Sequence, residues 1–600
     1  MKIKYFILSI IMSAGIFTGC NNLDYNEVVM NDAQWLYDNQ GQVQRLLAEV
    51  YAKVSYDMGD QYLGAMLASA TDEADFPLSL STIHRYYNGA WSSVNAFPFT
   101  WSNSFQAIYS ANVFLENLDK VFAVLETYKH NVNVVPKYED LLKVYELFPY
   151  QARFLRAYFY FELAKTYGDV PLITRTLTPE EANLLSRKPV QEIFKFIVSE
   201  CDNIAEFLPI DYSGESGQQI GRINRPTVYA LKARTLLYAA SPLFNPETSE
   251  EVTKEASKEA WRKAAVACKE LIDACVGWGI EFTPYQNLWP NNSHLASEIL
   301  WTRRIYNSDN RYENYNFPVG EENAVYGGNC PSQNLVDAYE YTGSAPAAIR
   351  GKTWPEAEAL GALPANPYAN LDPRFGHTIA KNADTWPTTT PYNYPLQIFE
   401  GGRNAPPILN ATKTGYYLKK YMKGGMRITQ ANSISGQAHW IIYRLSEFYL
   451  NYAEAMFNYM DNDATAVGEG ILSMSANDAI NVLRNRDGIK MPLFTDDTNG
   501  DVWVERYQRE RMVELAFEGH RFWDVRRWKI YNEGDQMNIK TIKINVIRDE
   551  VEPSNVSLFK YTYQRGANIS RGTWYDRYYF YPIPQTEIQR ATNLVQNDNW

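Results

Sequence analysis

Hydrophobic residues recur every three or four positions along most of the chain, and the recurrence fades only in its middle. Residues 102–127 place Ile108, Phe114 and Leu118 near one stripe. Residues 147–168 place Ala152, Leu155, Tyr158, Phe159 and Leu163 at helical spacings before a stop at Gly168. Further helices are predicted near 41–58, over 187–209 with Pro209 as its stop, over 224–244 between Pro226 and Pro242, and over 258–275. The pattern resumes at 439–460, 475–488 and 501–528. Long helices arriving in pairs, with Ala-, Tyr- and Phe-rich faces, predict a mainly α fold on a tetratricopeptide-like helix-pair scaffold. No strict repeat of about 34 residues can be aligned.

From about 277 to 440 the stripes give way to aromatic, Asn-rich and Pro-rich sequence, with nine prolines between 353 and 410. A long irregular stretch in a compact protein is usually functional or disordered, and this one is too rich in Trp and Tyr for disorder. The expected organisation is a leader at 1–19, a polar tether at 20–40, a helical region at 41–276, a loop-rich segment at 277–440 and a second helical region at 441–600.

The leader changes the picture most. MKIKYFILSIIMSAGIFTGC carries Lys2 and Lys4, an apolar run from Tyr5 to Phe17, then Thr18-Gly19-Cys20. It is too short and wrongly flanked for a membrane span and resembles a bacterial lipoprotein signal, with Cys20 as the lipidated N-terminus. The other cysteines are 201, 268, 275 and 330. Cys268 and Cys275 share a predicted helix, about 10 Å apart at 1.5 Å rise per residue, beyond disulfide reach.

The net charge of −12 comes with no basic stripe or block, so nothing points to nucleic acid and no such partner is expected. Tyr, at 44 residues, outnumbers Gly, at 33. Such side chains suit helix packing and amphipathic ligands such as sugars alike.

One motif invites a catalytic reading. ELAFEGHRFWDVRRWK (514–529) offers Glu514, Glu518, Asp524 and His520. Read as part of one helix, it instead aligns Met512, Leu515, Ala516, Gly519, Phe522 and Trp523 into a packing stripe. Its flanks would pair Glu518–Arg521, His520–Asp524 and Asp524–Arg527. A glycoside hydrolase would need two carboxylates across a sugar, and TDEAD (71–75) is the densest acidic segment, equally suited to a solvated loop. The six histidines show no metal-ligating spacing, and no phosphate, dinucleotide or nucleophile-elbow motif occurs. No cofactor is expected; whether calcium braces a loop stays open.

Separated pieces taken in order then point to one family. They include TDEAD, ANVFLENLDKV (111–121), FLRAYFYFELAKTYGDVPLI (154–173), GRINRPTVYALKARTLLYAA (221–240) and SEILWTRR (297–304). TGYYLKKYM (414–422), YRLSEFYLNYAEA (443–455), INVLRNRDGI (480–489), ERMVELAFEGHRFWDVRRWK (510–529) and YPIPQTEIQRATNLVQND (581–598) complete the set. Together they resemble the SusD/RagB family of outer-membrane nutrient-binding lipoproteins. The resemblance implies a tetratricopeptide-like scaffold with loop-rich ligand segments. It also implies a non-catalytic role at the cell surface, capturing an oligosaccharide for a SusC-like TonB-dependent transporter. A peptide-binding RagB-like importer is the alternative, and a helical glycoside hydrolase a more distant one.

A sugar needs flat aromatics beside hydrogen-bonding groups. Two stretches offer that mixture, in regions that the resemblance places at the ligand: His84, Arg85, Tyr86, Tyr87, Asn88 and Trp91, and then Arg303, Arg304, Tyr306, Asn307, Arg311, Tyr312 and Tyr315, followed by Tyr326. Asp72 and Asp75 join them through the resemblance. The arginines raise an acidic or sulfated sugar as a ligand, with salt bridging to Glu313, Glu321 or Glu322 as the other reading.

Overall fold

The computed structural model describes residues 40–600 apart from 130–134, 213–220, 246–250, 290–295, 308–310, 322–323, 387–394, 423–435, 532–536, 548–558 and 573. The leader, Cys20 and most of the tether lie outside the described residues.

The fold is mainly helical. Helices α1 (Gln40–Ala52), α2 (Phe99–Glu116), α3 (Leu118–Tyr128), α4 (Val135–Tyr167), α5 (Val190–Ile204), α6 (Arg225–Ala240) and α7 (Glu251–Gly277) form its first half. α1 packs on α2, α2 on α4, α4 on α5, α5 on α6 and α6 on α7, the stacking of a tetratricopeptide-like array. α7 then packs on α8 (Leu445–Tyr459), and α8 on α9 (Ala476–Arg484), so the array continues across the loop-rich segment. Local chemistry sets the ends. Asn224 caps α6 by accepting the Thr227 N–H at 3.0 Å, with Pro226 in the first turn. Ser475 and Asp478 make a capping box on α9.

Three predicted helices differ from what forms. The 102–127 pattern splits at Asn117 into α2 and α3, with the Asn117 side chain bonded back to Val113 O at 2.8 Å. Residues 439–444 are not helical; they belong to strand β2 (Gly436–Arg444), antiparallel to β1 (Ile299–Asn307), with Arg303 opposite Trp440. A short aromatic and β-branched run buried on both faces carries no period that separates strand from helix.

The third is 501–528. Helix α10 (Gly500–Glu514) ends, Leu515–Gly519 turn, and α11 (Arg521–Arg527) begins in a new direction. Phe517 and Gly519 take positive φ, 57° and 78°, and a Cβ on Gly519 would press on the Trp440 ring at 3.3 Å.

That turn corrects the expected charge pairing as well. Asp524–Arg527 forms, at 2.9 Å. Glu518 instead accepts from Lys420 (2.8 Å) and Arg444 (2.7 Å), and Arg521 reaches Asp72 (2.7 Å). Asp524 is taken by Arg511 and Arg527, so His520 does not pair with it. The His520 imidazole lines a polar cleft with Lys165 and Arg234. Burial and those cations hold it well below the usual histidine range.

These charges are core, not edge. Glu514 accepts from Arg374 (2.8 Å), Arg444 (2.8 Å) and Arg486 (2.6 Å), and Glu510 from Arg374 (2.6 Å) and Arg484. Burial opposes the Glu510 charge, yet Arg374 and Arg484 hold its carboxyl down at about 2. Arg374, Glu514 and Arg527 are 0% exposed, so each ion depends on its partners in place of water. This network joins α10 to the loop-rich segment through Arg374, and to β1 and β2 through Glu298 and Arg444.

Candidate ligand-binding site

The predicted residues separate into three groups. Tyr315 and Tyr326 meet on a face made wholly of loops and one short helix, their ring centroids 4.9 Å apart at 46°. Both are half-buried. The backbone builds their seat. Gly64, at φ 95°, closes a turn onto Gly59 (2.7 Å), and a Cβ there would overlap the Tyr315 ring. Gly327, at φ 71°, packs against Asn410 O and Pro77 with no room for a Cβ.

Two buried asparagines lock the arrangement. Asn329 accepts from Met66 N (2.7 Å) and Ser69 Oγ (2.8 Å), and donates to Gly64 O (3.1 Å) and to Asn316 Oδ1 (2.9 Å). Asn316 sits beside Tyr315 and donates to Tyr312 O (2.8 Å). Asn410 donates to Val325 O at 2.8 Å, which ties in the 408–410 loop. Leu63 (45% exposed), Val325 (54%) and Leu409 (81%) are exposed on the segments that adjoin the rings in sequence or through Asn410. Two paired, half-buried aromatic rings on backbone held by buried amides suit the C–H face of a sugar. None of the supporting residues, Gly64, Asn316, Gly327, Asn329 or Asn410, carries a signal in sequence beyond its turn propensity.

A second group is spent on the interior. Tyr86 and Trp91 are each 1% exposed. Tyr86 stacks on Phe97 at 4.5 Å, and its hydroxyl is bonded to those of Tyr62 (2.9 Å) and Tyr581. Trp91 packs on Tyr581 and Trp600, both within 5 Å. Tyr312 is 2% exposed and donates to Lys420 O at 2.9 Å. As surface platforms these three are corrected: a ring sealed in the core presents no face to a ligand.

The acids of TDEAD are likewise committed to the protein. Asp72 takes two hydrogen bonds from Arg521 (2.9 and 2.7 Å), and Asp75 accepts from Arg571 at 3.3 Å. Glu73, between them, accepts the Phe517 N–H, and burial pushes its carboxyl up to about 8. Buried carboxylates need such partners, so Asp72 and Asp75 act as clamps on the site's backbone, a correction to the expected ligand contact.

Four further residues of the 84–91 stretch are half-buried or exposed. Arg571 covers the half-buried Tyr87 at 4.2 Å, and His84 bonds through Nε2 to Phe76 O at 3.0 Å. Arg85 lies 5.8 Å from the centre of the Phe97 ring. Asn88 is exposed, its side chain accepting the Ala90 N–H at 3.0 Å. The third group stands apart: Arg303 and Arg304 line a cavity between α1, α4 and β1. Only the backbone is described for Tyr306, Asn307 and Arg311. Among the described residues no group of His, Cys, Asp and Glu is placed to hold a metal, and no helix is long and apolar enough to cross a membrane.

Comparison with known proteins agrees with this architecture. The family model described as the SusD family matches residues 297–600. Another, described as starch-binding associating with outer membrane, matches residues 23–237. SusD-like protein P2 of Formosa agariphila is 23% identical over 464 residues, 75% of this chain and 73% of that protein. SusD-like protein P25 of the same organism is 22% identical over 207 residues, only 34% of this chain and 31% of that protein. The solved structure of a SusD-like protein from Bacteroides fragilis, 22% identical, superposes with a TM-score of 0.68 over 94% of this chain and 98% of its own. From its array of helix pairs to its C-terminal half, the chain belongs to the SusD family.

Proposed function

We propose that the protein is a non-catalytic, cell-surface glycan-binding lipoprotein that holds an oligosaccharide on the Tyr315–Tyr326 face for a SusC-like TonB-dependent transporter. The observation that carries the reading is the paired rings on a preformed loop platform. The starch-binding, outer-membrane description of the matching family supports it. The acids of the TDEAD segment, Asp72 and Asp75, are held by arginines, which favours capture over hydrolysis.

On a glycan array, Tyr315→Ala and Tyr326→Ala are each expected to weaken the recognised oligosaccharide about tenfold, the scale of one lost aromatic anchor. Full binding by the double variant would sink the assignment, and selective retention of peptides would favour the RagB-like alternative. Anchoring is read from the Lys-apolar-Cys leader. In cells fed labelled palmitate the parent should carry label and Cys20→Ala none; label persisting in that variant would refute the anchor.

A further inference from the structure

Arg374, Arg444, Arg484, Arg511 and Arg527 are almost wholly buried, and each holds at least one carboxylate. Arg526, on α11, is buried as deeply, at 1% exposed, and forms no ion pair among the described residues. Its Nη1 donates to Phe522 O at 2.9 Å within the same helix. Nε and Nη2 are buried with no hydrogen-bond partner. Those two nitrogens form one edge of the guanidinium plane, and covalent geometry points an N–H of each in the same direction. Elsewhere in this chain that edge grips a carboxylate. Arg521 uses it on Asp72, at 2.9 and 2.7 Å, Arg153 on Glu200, at 3.1 and 2.8 Å, and Arg234 on Glu447.

The surroundings of Arg526 are aromatic. Its guanidinium carbon lies 3.5 Å from the centre of the Phe522 ring, 5.2 Å from that of Trp574, and 6.0 Å from those of Tyr86 and Tyr531. The Tyr531 and Trp574 rings pack together at 4.7 Å, and the Tyr531 hydroxyl and Trp574 Nε1 are also buried with no hydrogen-bond partner. Besides Arg526, the charged groups acting on Tyr531 are Asp72, Arg521 and Arg571. Asp72 is taken by Arg521, and Arg571 has Asp75 at 3.3 Å, so the charge of Arg526 is the one left over. Burial pushes this guanidinium below its usual range, and the groups that oppose the shift are tyrosines 581, 531, 86 and 79 residues from no acid of their own, namely Tyr581, Tyr531, Tyr86 and Tyr579. A buried cation with no partner is strongly unfavourable, and an arginine does not escape the cost by losing its proton.

We propose that the Nε–Nη2 edge of Arg526 binds one small monovalent anion, of the size of chloride, as its counter-charge in the aromatic core shared with Tyr531 and Trp574. One such ion accepts both parallel N–H bonds, and the rings around it leave a bulky or multiply charged anion no polar wall to replace its water. The Tyr315–Tyr326 face plays no part in this site.

Crystals of the mature chain grown in sodium bromide give a direct test. An anomalous bromide peak in hydrogen-bond contact with both Nε and Nη2 is expected. A water, a side-chain carboxylate or nothing on that edge overturns the proposal. Thermal melts test it in solution. With ionic strength fixed, so that general screening is constant, replacing sodium gluconate by sodium chloride in steps should raise the melting temperature of the parent. The rise follows from mass action, because the anion binds only the folded chain. Arg526→Met, which keeps the length of the side chain without its charge, should abolish the chloride increment, and Arg175→Ala on the surface should keep it. An equal increment in Arg526→Met, or none in the parent, overturns the proposal. If Arg526→Met does not fold, the bromide crystal and the chloride titration of the parent decide it.

Discussion

Arg444→Ala is expected to destabilise the protein by about 3–5 kcal/mol, the cost of removing one partner from a buried ion network. Its guanidinium serves Glu298, Glu514 and Glu518 together, at 3.2, 2.8 and 2.7 Å. All four residues are buried, with Arg444 only 1% exposed, so in the folded protein these donors stand in place of water. Glu514 keeps two arginines and Glu518 keeps Lys420, but Glu298 keeps only the distant Arg486 at 3.9 Å and its contacts with Ser446 and Thr283. Arg444→Lys should recover little, because one ammonium cannot reach three carboxylates. Removing an exposed pair gives the contrast: Arg175→Ala, opposite Glu181 on the surface, should leave the melting curve in place. Thermal melts of the three variants decide it. An Arg444→Ala curve lying on that of the parent would show that the network contributes nothing net.

Gly64→Ala should weaken glycan binding about tenfold, as loss of the Tyr315 ring would, while leaving most of the fold intact. At φ 95° an L-residue is strained, at a cost of order 1–2 kcal/mol. Strain is the smaller effect. The added Cβ falls on the Tyr315 ring, so either the ring swings away from Tyr326 or the 59–64 turn lifts and takes Gly64 O from Asn329. Either movement separates the paired rings. The expected result is about tenfold weaker binding on the glycan array with a melting temperature a few degrees lower; undiminished binding would show that the ring pair is not the platform.

Much of this molecule is legible in its residues. Asn224 with Pro226, and Ser475 with Asp478, announce their helices through capping chemistry that depends on neighbours in sequence. The break after Glu514 is not announced, because apolar spacing runs on through Gly519 to Phe522. The turn is decided by distant groups: Glu73 taking the Phe517 N–H and Trp440 lying against Gly519. The site divides the same way. Tyr315 and Tyr86 are one residue type in similar aromatic company, and only the third dimension puts Tyr86 beside Tyr62 and Tyr581 and leaves Tyr315 at a rim. Asp72 and Asp75 look like ligand acids until Arg521 and Arg571, each more than 400 residues later, reach them. In sequence Arg303 and Arg304 read with the aromatics of the 301–317 stretch, because sequence order says nothing about which side of a strand edge a helix covers.

Arg571 donates to Thr71 O (2.6 Å), Ser69 O (3.0 Å) and Ala74 O (2.8 Å), and so reaches back 500 residues to the segment beside the Tyr315 seat. The order of synthesis follows from that reach. A ribosome that has made the first helices, and even both tyrosines, has not yet made the side chain that satisfies these carbonyls. The face can therefore be completed only after residue 571 has been made and is free to fold back onto the early segment. A chain halted short of residue 571 would carry every aromatic ring of the platform and still lack the platform.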